Sequence, residues 1–175
     1  MTNAKTMSSS NPRSSMILCG AIVLTLSAAF LQAQARRPPG QGREPVPVTV
    51  ALKIGGASYS SSTAGSCTHA PTASIYGVLS EMWSVRQEDE GRSVSLTMWR
   101  SKKDGEDTFN LSVNDKKSVQ INTVRGGQGS GTGTIKLQPS GKGGTFTVEG
   151  KTKAGEAVSG TISCAAFTAA VAEGG

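Results

Sequence analysis

MWSVRQEDEGRSVSLTMWRSKKDGEDTFNLSV, residues 82–113, carries the reading that decides the fold. Three short runs alternate apolar and polar side chains. Trp83 and Val85 share one side of the first, Val94, Leu96 and Met98 one side of the second, and Phe109, Leu111 and Val113 one side of the third. Alternation with a period of two places these residues on one face of a strand. The runs are separated by Glu88-Asp89-Glu90-Gly91-Arg92 and by Lys102-Lys103-Asp104-Gly105, and an Asp-Gly pair is a frequent hairpin turn. The stretch therefore predicts consecutive antiparallel strands with one dry and one wet face.

Working outward, the same pattern continues. Val48–Ile54 aligns Val48, Val50, Leu52 and Ile54 and stops at Gly55-Gly56. Ala57–Thr68 is polar and Ser-rich and reads as a weak strand near an edge, and His69–Ser80, with Pro71 and Gly77, reads as a loop. Ser118–Val124, Gly133–Leu137, Thr145–Lys151 and Ala157–Cys164 are further strands, and Arg125–Thr132 and Ser140–Gly144 are Gly-rich connections. No stretch sustains a helical apolar period. The expectation is an all-β fold, an antiparallel two-sheet sandwich of about eight short strands.

The N-terminal part reads as a cleaved secretory signal peptide spanning residues 1–35. Lys5 and Arg13 precede the apolar run Met16–Leu31, and Gln32-Ala33-Gln34-Ala35 offers small residues before a cut after Ala35. At about 16 residues the run is short of a bilayer span, so membrane association is expected only through this leader, were it uncleaved. Residues 36–45 (RRPPGQGREP) form a Pro/Gly/Arg linker, 46–167 the domain, and 168–175 a disordered tail. The predicted location is periplasmic or secreted. The formal charge of +6 belongs mostly to the leader and linker; from Val46 onward there are 13 basic and 11 acidic residues. A domain so nearly neutral lacks the concentrated basic footprint of nucleic-acid binding.

Cys19 lies inside the leader, which leaves Cys67 and Cys164. Two thiols near opposite ends of an exported domain predict a disulfide. That pairing removes the plausible nucleophile and soft-metal ligands. His69 then stands as the only histidine, with no metal set around it, and no metal or cofactor is expected. The loops Gly126–Gly133 and Gly141–Thr145 lack the spacing of phosphate-binding motifs. The acids Glu88, Asp89 and Glu90 in one turn and Asp104, Glu106 and Asp107 in the next are the residues a hydrolase would have to use. Trp99, on the outward side of its strand with Arg100 following, is the candidate ligand or partner surface.

The segment Gly133–Cys164, with Gly-x-Phe-x-Val-x-Gly followed by Gly-x-Ile-x-Cys, together with Gly65-Ser66-Cys67, resembles the mycobacterial 19 kDa lipoprotein antigen family. The resemblance implies a small exported β-sandwich with two distant, bridged cysteines, an envelope role and no catalytic residues. The lipid-attachment motif of that family is not present here. The functional expectation is a non-enzymatic envelope binding module whose partner is an envelope protein or glycan, with a carbohydrate or small-ligand module built on Trp99 as the alternative.

Overall fold

β-branched and aromatic residues alternating with Ser and Thr dictate extended chain, and a computed structural model describing residues 44–124 and 129–170 shows it throughout. The strands are β1 (Val46–Ile54), β2 (Ala57–Ile75), β3 (Val78–Asp89), β4 (Arg92–Ser101), β5 (Asp107–Asn114), β6 (Ser118–Asn122), β7 (Thr132–Ser140), β8 (Gly143–Lys151), β9 (Ala157–Cys164) and β10 (Thr168–Ala169). The leader 1–35 and linker residues 36–43 lie outside the described residues. So does the end of the tail, 171–175.

All ten strands belong to one sheet, in the order β6-β5-β4-β3-β2-β1-β9-β8-β7, with β10 joined to β2. The fold is thus all-β and antiparallel as expected, but the strands form one sheet curled almost into a barrel rather than two separate sheets of about eight strands. The reason is β2. Its 19 residues pair with β1 over Ala57–Gly65 and with β3 over Gly65–Ile75, so one strand serves both halves. Gly65 is the shared residue, and a Cβ there would lie 2.6 Å from the Arg86 carbonyl and 2.8 Å from a Val48 methyl. The polar segment read as an edge strand is therefore a central one, held by neighbours rather than by its own propensity.

The segment His69–Ser80, expected as a loop, is instead the outer part of the β2–β3 hairpin. Pro71 falls where the ladder slips between Ala70 and Ala73, so its missing N–H breaks no pairing. The turn shrinks to Tyr76-Gly77, with φ of 47° and 76°, the two positive values of a type I′ hairpin turn.

Every neighbouring pair along the nine-strand path is antiparallel. An odd number of alternating strands leaves the terminal two, β6 and β7, running the same way. They cannot close by the antiparallel ladder used along the path, and among the described residues the seam shows one antiparallel bridge, at Ser130 just before β7, with Asn122 and Ser130 exchanging hydrogen bonds of 2.9 and 3.1 Å.

The predicted stripes fill the interior. Val48, Val50 and Leu52 of β1, Val85 of β3, Leu96 and Met98 of β4, Phe109 and Leu111 of β5, Phe146 of β8 and Ile162 of β9 are all buried. Trp83 joins them, as expected.

Cys67 and Cys164 are bonded, with Cα atoms 6.2 Å apart, and both are buried. The bond ties β2 to β9 just beyond the start of β1, whose pairing with β2 ends at Val46↔Gly65. The chain after Cys164 then takes the vacated edge of β2. Thr168 Oγ1 donates to the Cys67 carbonyl at 3.1 Å, Ala170 N donates to the His69 carbonyl at 2.9 Å, and Phe167 packs edge-on against Phe146 at 5.9 Å. Residues 168–170, expected to be disordered, are docked because β2 has unpaired groups there to satisfy.

Removing the bond with Cys67→Ala/Cys164→Ala frees a 97-residue loop in the unfolded chain. Urea unfolding of the double variant is expected to show about 4 kcal/mol less stability than the oxidised protein.

Candidate functional site

The turns of the sheet gather at two ends. One end holds the β1–β2, β3–β4, β5–β6 and β8–β9 turns; the other holds the β2–β3, β4–β5 and β7–β8 turns. Each inward-facing stripe changes character as it approaches the second end. On β3 the side of Val85 and Trp83 continues to Glu81, on β4 that of Leu96 and Met98 continues to Arg100, on β5 that of Leu111 and Phe109 continues to Asp107, and on β2 Cys67 is followed by His69.

Register makes these four polar groups a row, with Glu81 opposite Arg100, Arg100 opposite Asp107, and His69 opposite Trp83. Arg100 donates from Nε and an Nη to the two Asp107 oxygens at 2.8 and 2.9 Å, a forked pair. Those hydrogen bonds, ahead of the opposing effect of partial burial and the added attraction of Glu81, hold the guanidinium pKa above its ordinary value. His69 Nε2 lies 2.7 Å from Glu81 Oε1, its ring stacks on Trp83 at 4.8 Å, and the Arg100 guanidinium covers the same indole at 5.5 Å. Trp83 is thus enclosed between an imidazole and a guanidinium. The charges satisfy one another, so the row builds a rigid rim, and no group of three or more His, Cys, Asp or Glu among the described residues is arranged to hold a metal.

Beyond this rim projects the β2–β3 hairpin. Tyr76, Val78 and Leu79 are exposed by 65, 43 and 53%, and they are the large apolar side chains most open to solvent among the described residues. Ile75 is opposite Val78 and Ser74 opposite Leu79, so Val78 and Leu79 stand on opposite faces of the hairpin with Tyr76 at its tip. Residues 71–80 carry no charge. The β4–β5 turn braces the flank, where Lys102 N donates to the Leu79 carbonyl at 3.0 Å and Lys102 Nζ to Thr72 Oγ1 at 3.3 Å. A bulky Tyr at positive φ is costly, and here it is held by the turn while its side chain stays largely exposed.

Trp99 and Arg100, expected to form one surface, are separated. Trp99 is half-buried on the outer face between Met82 and Thr108, while Arg100 points to the inner side of the rim. Neighbours on a strand alternate sides, so the pair never shared a face. The turn acids do not converge either. Glu88, Asp89 and Glu90 lie at one end of β4 and Asp104, Glu106 and Asp107 at the other, ten residues of strand apart. Asp89 is held by Arg92 and Ser61, each at 2.7 Å.

The opposite end has a cavity of about 290 Å³, floored by Ile54, Tyr59, Val113 and Val119 and rimmed by Lys116 and Lys117. Tyr59 is buried beneath Arg92, 5.3 Å from its ring centre. Burial raises its phenol pKa; Arg92 opposes this, and Asp89 and Asp115 reinforce it. Comparison with protein-family profiles, curated proteins and solved structures found no match.

Two measurements check this geometry. In a Trp99→Phe protein, His69→Ala is expected to move Trp83 emission to longer wavelength, because the ring stacked on the indole is removed and water reaches it. In Tyr76→Phe protein the remaining phenol, Tyr59, should ionise above the ordinary tyrosine value of about 10. The raised folded pKa means that its contribution to stability is intact below the unfolded value and is lost as pH climbs from that value through the folded one, which absorbance and urea titrations at alkaline pH will read.

Proposed function

We propose that the protein is an exported, non-enzymatic cell-envelope binding module that engages its target through the β2–β3 hairpin. The observation that carries the reading is the concentration of exposed apolar side chains, Tyr76, Val78 and Leu79, on one uncharged tip. Exposed clusters of this kind mark interaction sites. The bracing beneath them fits that role: the rim of His69, Glu81, Arg100 and Asp107 spends its charges on internal pairs and stiffens the base of the hairpin. The Cys67–Cys164 bond is compatible with an oxidising compartment. The signal-like leader and the likeness of Gly133–Cys164 to the 19 kDa lipoprotein antigen family support an envelope location, periplasmic or secreted.

A second reading, a small-ligand module, is favoured by the cavity beside Tyr59 and Val119 rather than by Trp99. Its volume suits only a small apolar molecule.

A photoreactive residue at position 76, in cells carrying the full chain, is expected to form adducts with an envelope component. The same residue at position 153, in the β8–β9 turn, is expected to form none. Equal labelling from both positions, or none from position 76, would remove the hairpin from the reading.

A further inference from the structure

The hairpin also indicates what kind of partner it meets, an inference that rests on the binding-module reading. We infer that the β2–β3 tip inserts into the interfacial region of a phospholipid bilayer, with Lys102 and Lys103 directed to lipid phosphates. A protein groove is one-sided, and a hairpin fitted to it would be apolar on one face. Here Val78 and half-buried Ile75 occupy one face, Leu79 beside Ser74 the other, and Tyr76 the tip, so apolar side chains stand on both faces and at the end. An element with apolar side chains on both faces suits a medium that surrounds it better than a one-sided groove.

Where it is paired, the backbone meets the second demand of a bilayer, that polar groups be satisfied internally. Ile75 pairs with Val78 and Ser74 with Leu79, and the Leu79 carbonyl accepts from Lys102 N; the outward edge of β2 from Pro71 to Ile75 has no partner strand among the described residues, which fits the interfacial region, where water and headgroups can meet it, rather than the hydrocarbon core. Tyrosine is a side chain of the membrane interface, apolar in its ring and polar at its hydroxyl. The ten residues Pro71–Ser80 are free of charge, and the charges on the flank of the tip are those of the β4–β5 turn, where Lys102 touches the hairpin backbone and Lys103, Asp104 and Glu106 line a pocket with Ile75 and Val78. The same turn carries Asp104 and Glu106, and Asp104 Oδ1 accepts from its own turn at Glu106 N at 3.1 Å. With the acids balancing the lysines, insertion of the apolar tip dominates and the preference for anionic lipid is modest. Membrane contact then arises from the folded domain, in place of the expectation that only an uncleaved leader would supply it.

The test is partition of the mature chain onto vesicles of phosphatidylcholine alone and with about 30% phosphatidylglycerol, the anionic lipid. Binding to both is expected, stronger to the anionic vesicles. Tyr76→Ser and Leu79→Ser should each weaken partition about tenfold, Lys102→Glu should lower binding to anionic vesicles alone by about fivefold, and Lys153→Ser at the far end should change nothing. Because the replaced tip side chains are exposed, melting temperatures should stay unchanged. A Tyr76→Trp protein provides an independent readout, since its fluorescence should shift to the blue on vesicles and be quenched by brominated acyl chains. Partition unaffected by the tip substitutions, or no shift at position 76, overturns the inference. Adducts to a protein from position 76 without vesicle partition overturn the bilayer and leave the binding-module reading standing; neither adducts nor partition overturns both.

Discussion

One strand holds two halves of a sheet together. β2 gives its first half to β1 and its second half to β3, and the change of partner occurs at Gly65, where Arg86 and Val48 approach too closely for a side chain. At that corner β1 runs out, and an edge of β2 would face the interior with nothing opposite. The Cys67–Cys164 bond and the short strand β10 occupy that place, one by covalent connection to β9 and the other by parallel pairing beside Thr68 and His69, with Ala170 N donating to the His69 carbonyl. Gln87 completes the corner by donating from its buried amide to the Val48 carbonyl at 2.8 Å. Without this set of contacts, the curl that encloses Phe109, Phe146 and Ile162 would lack its fixed bend.

The same strand carries the exposed hairpin. Two residues beyond the disulfide, His69 enters the charged rim, and six residues later β2 reaches Ile75 at the base of the tip. The hairpin is therefore continuous with the most heavily tied part of the domain. The proposed docking role needs this. Ordering a loose hairpin at the moment of binding would cost conformational entropy that a finger of three exposed apolar side chains could ill offset. The seam between β6 and β7, among the described residues one antiparallel bridge between Asn122 and Ser130, lies beside this support: Val124, two residues on, lines a pocket with Ile75 and Val78.

Much of the fold could be read from local pattern because burial alternates along each strand. The stripes at Val94-Leu96-Met98 and Phe109-Leu111-Val113 need only a period of two, and the Asp-Gly turn needs only its own residues. The course of β2 could not be read this way. Its Ser-rich run and Pro71 have weak strand preference of their own, and what makes it central is pairing with β1, β3 and β10, a long-range effect. The rim was invisible for a related reason. His69, Glu81, Arg100 and Asp107 are scattered in sequence and become neighbours only through strand register. The separation of Trp99 from Arg100 was legible, since adjacent residues of a strand face opposite ways. Treating His69–Ser80 as a loop hid the tip, although Tyr76-Gly77 between Ile75 and Val78 is a two-residue turn between apolar flanks, which was the available signal.

β2 is held at its corner by the disulfide and by the chain that follows it, and the exposed hairpin inherits its rigidity from there. Hydrogen exchange compared between the oxidised and the reduced folded protein tests this directly. Reduction is expected to release the amides of Thr68–Ala70 and of residues 168–170 first, followed by the hairpin out to Leu79, while the β4–β5 and β7–β8 ladders keep their protection. A uniform loss across the sheet, or unchanged protection around Cys67 and His69, would contradict it.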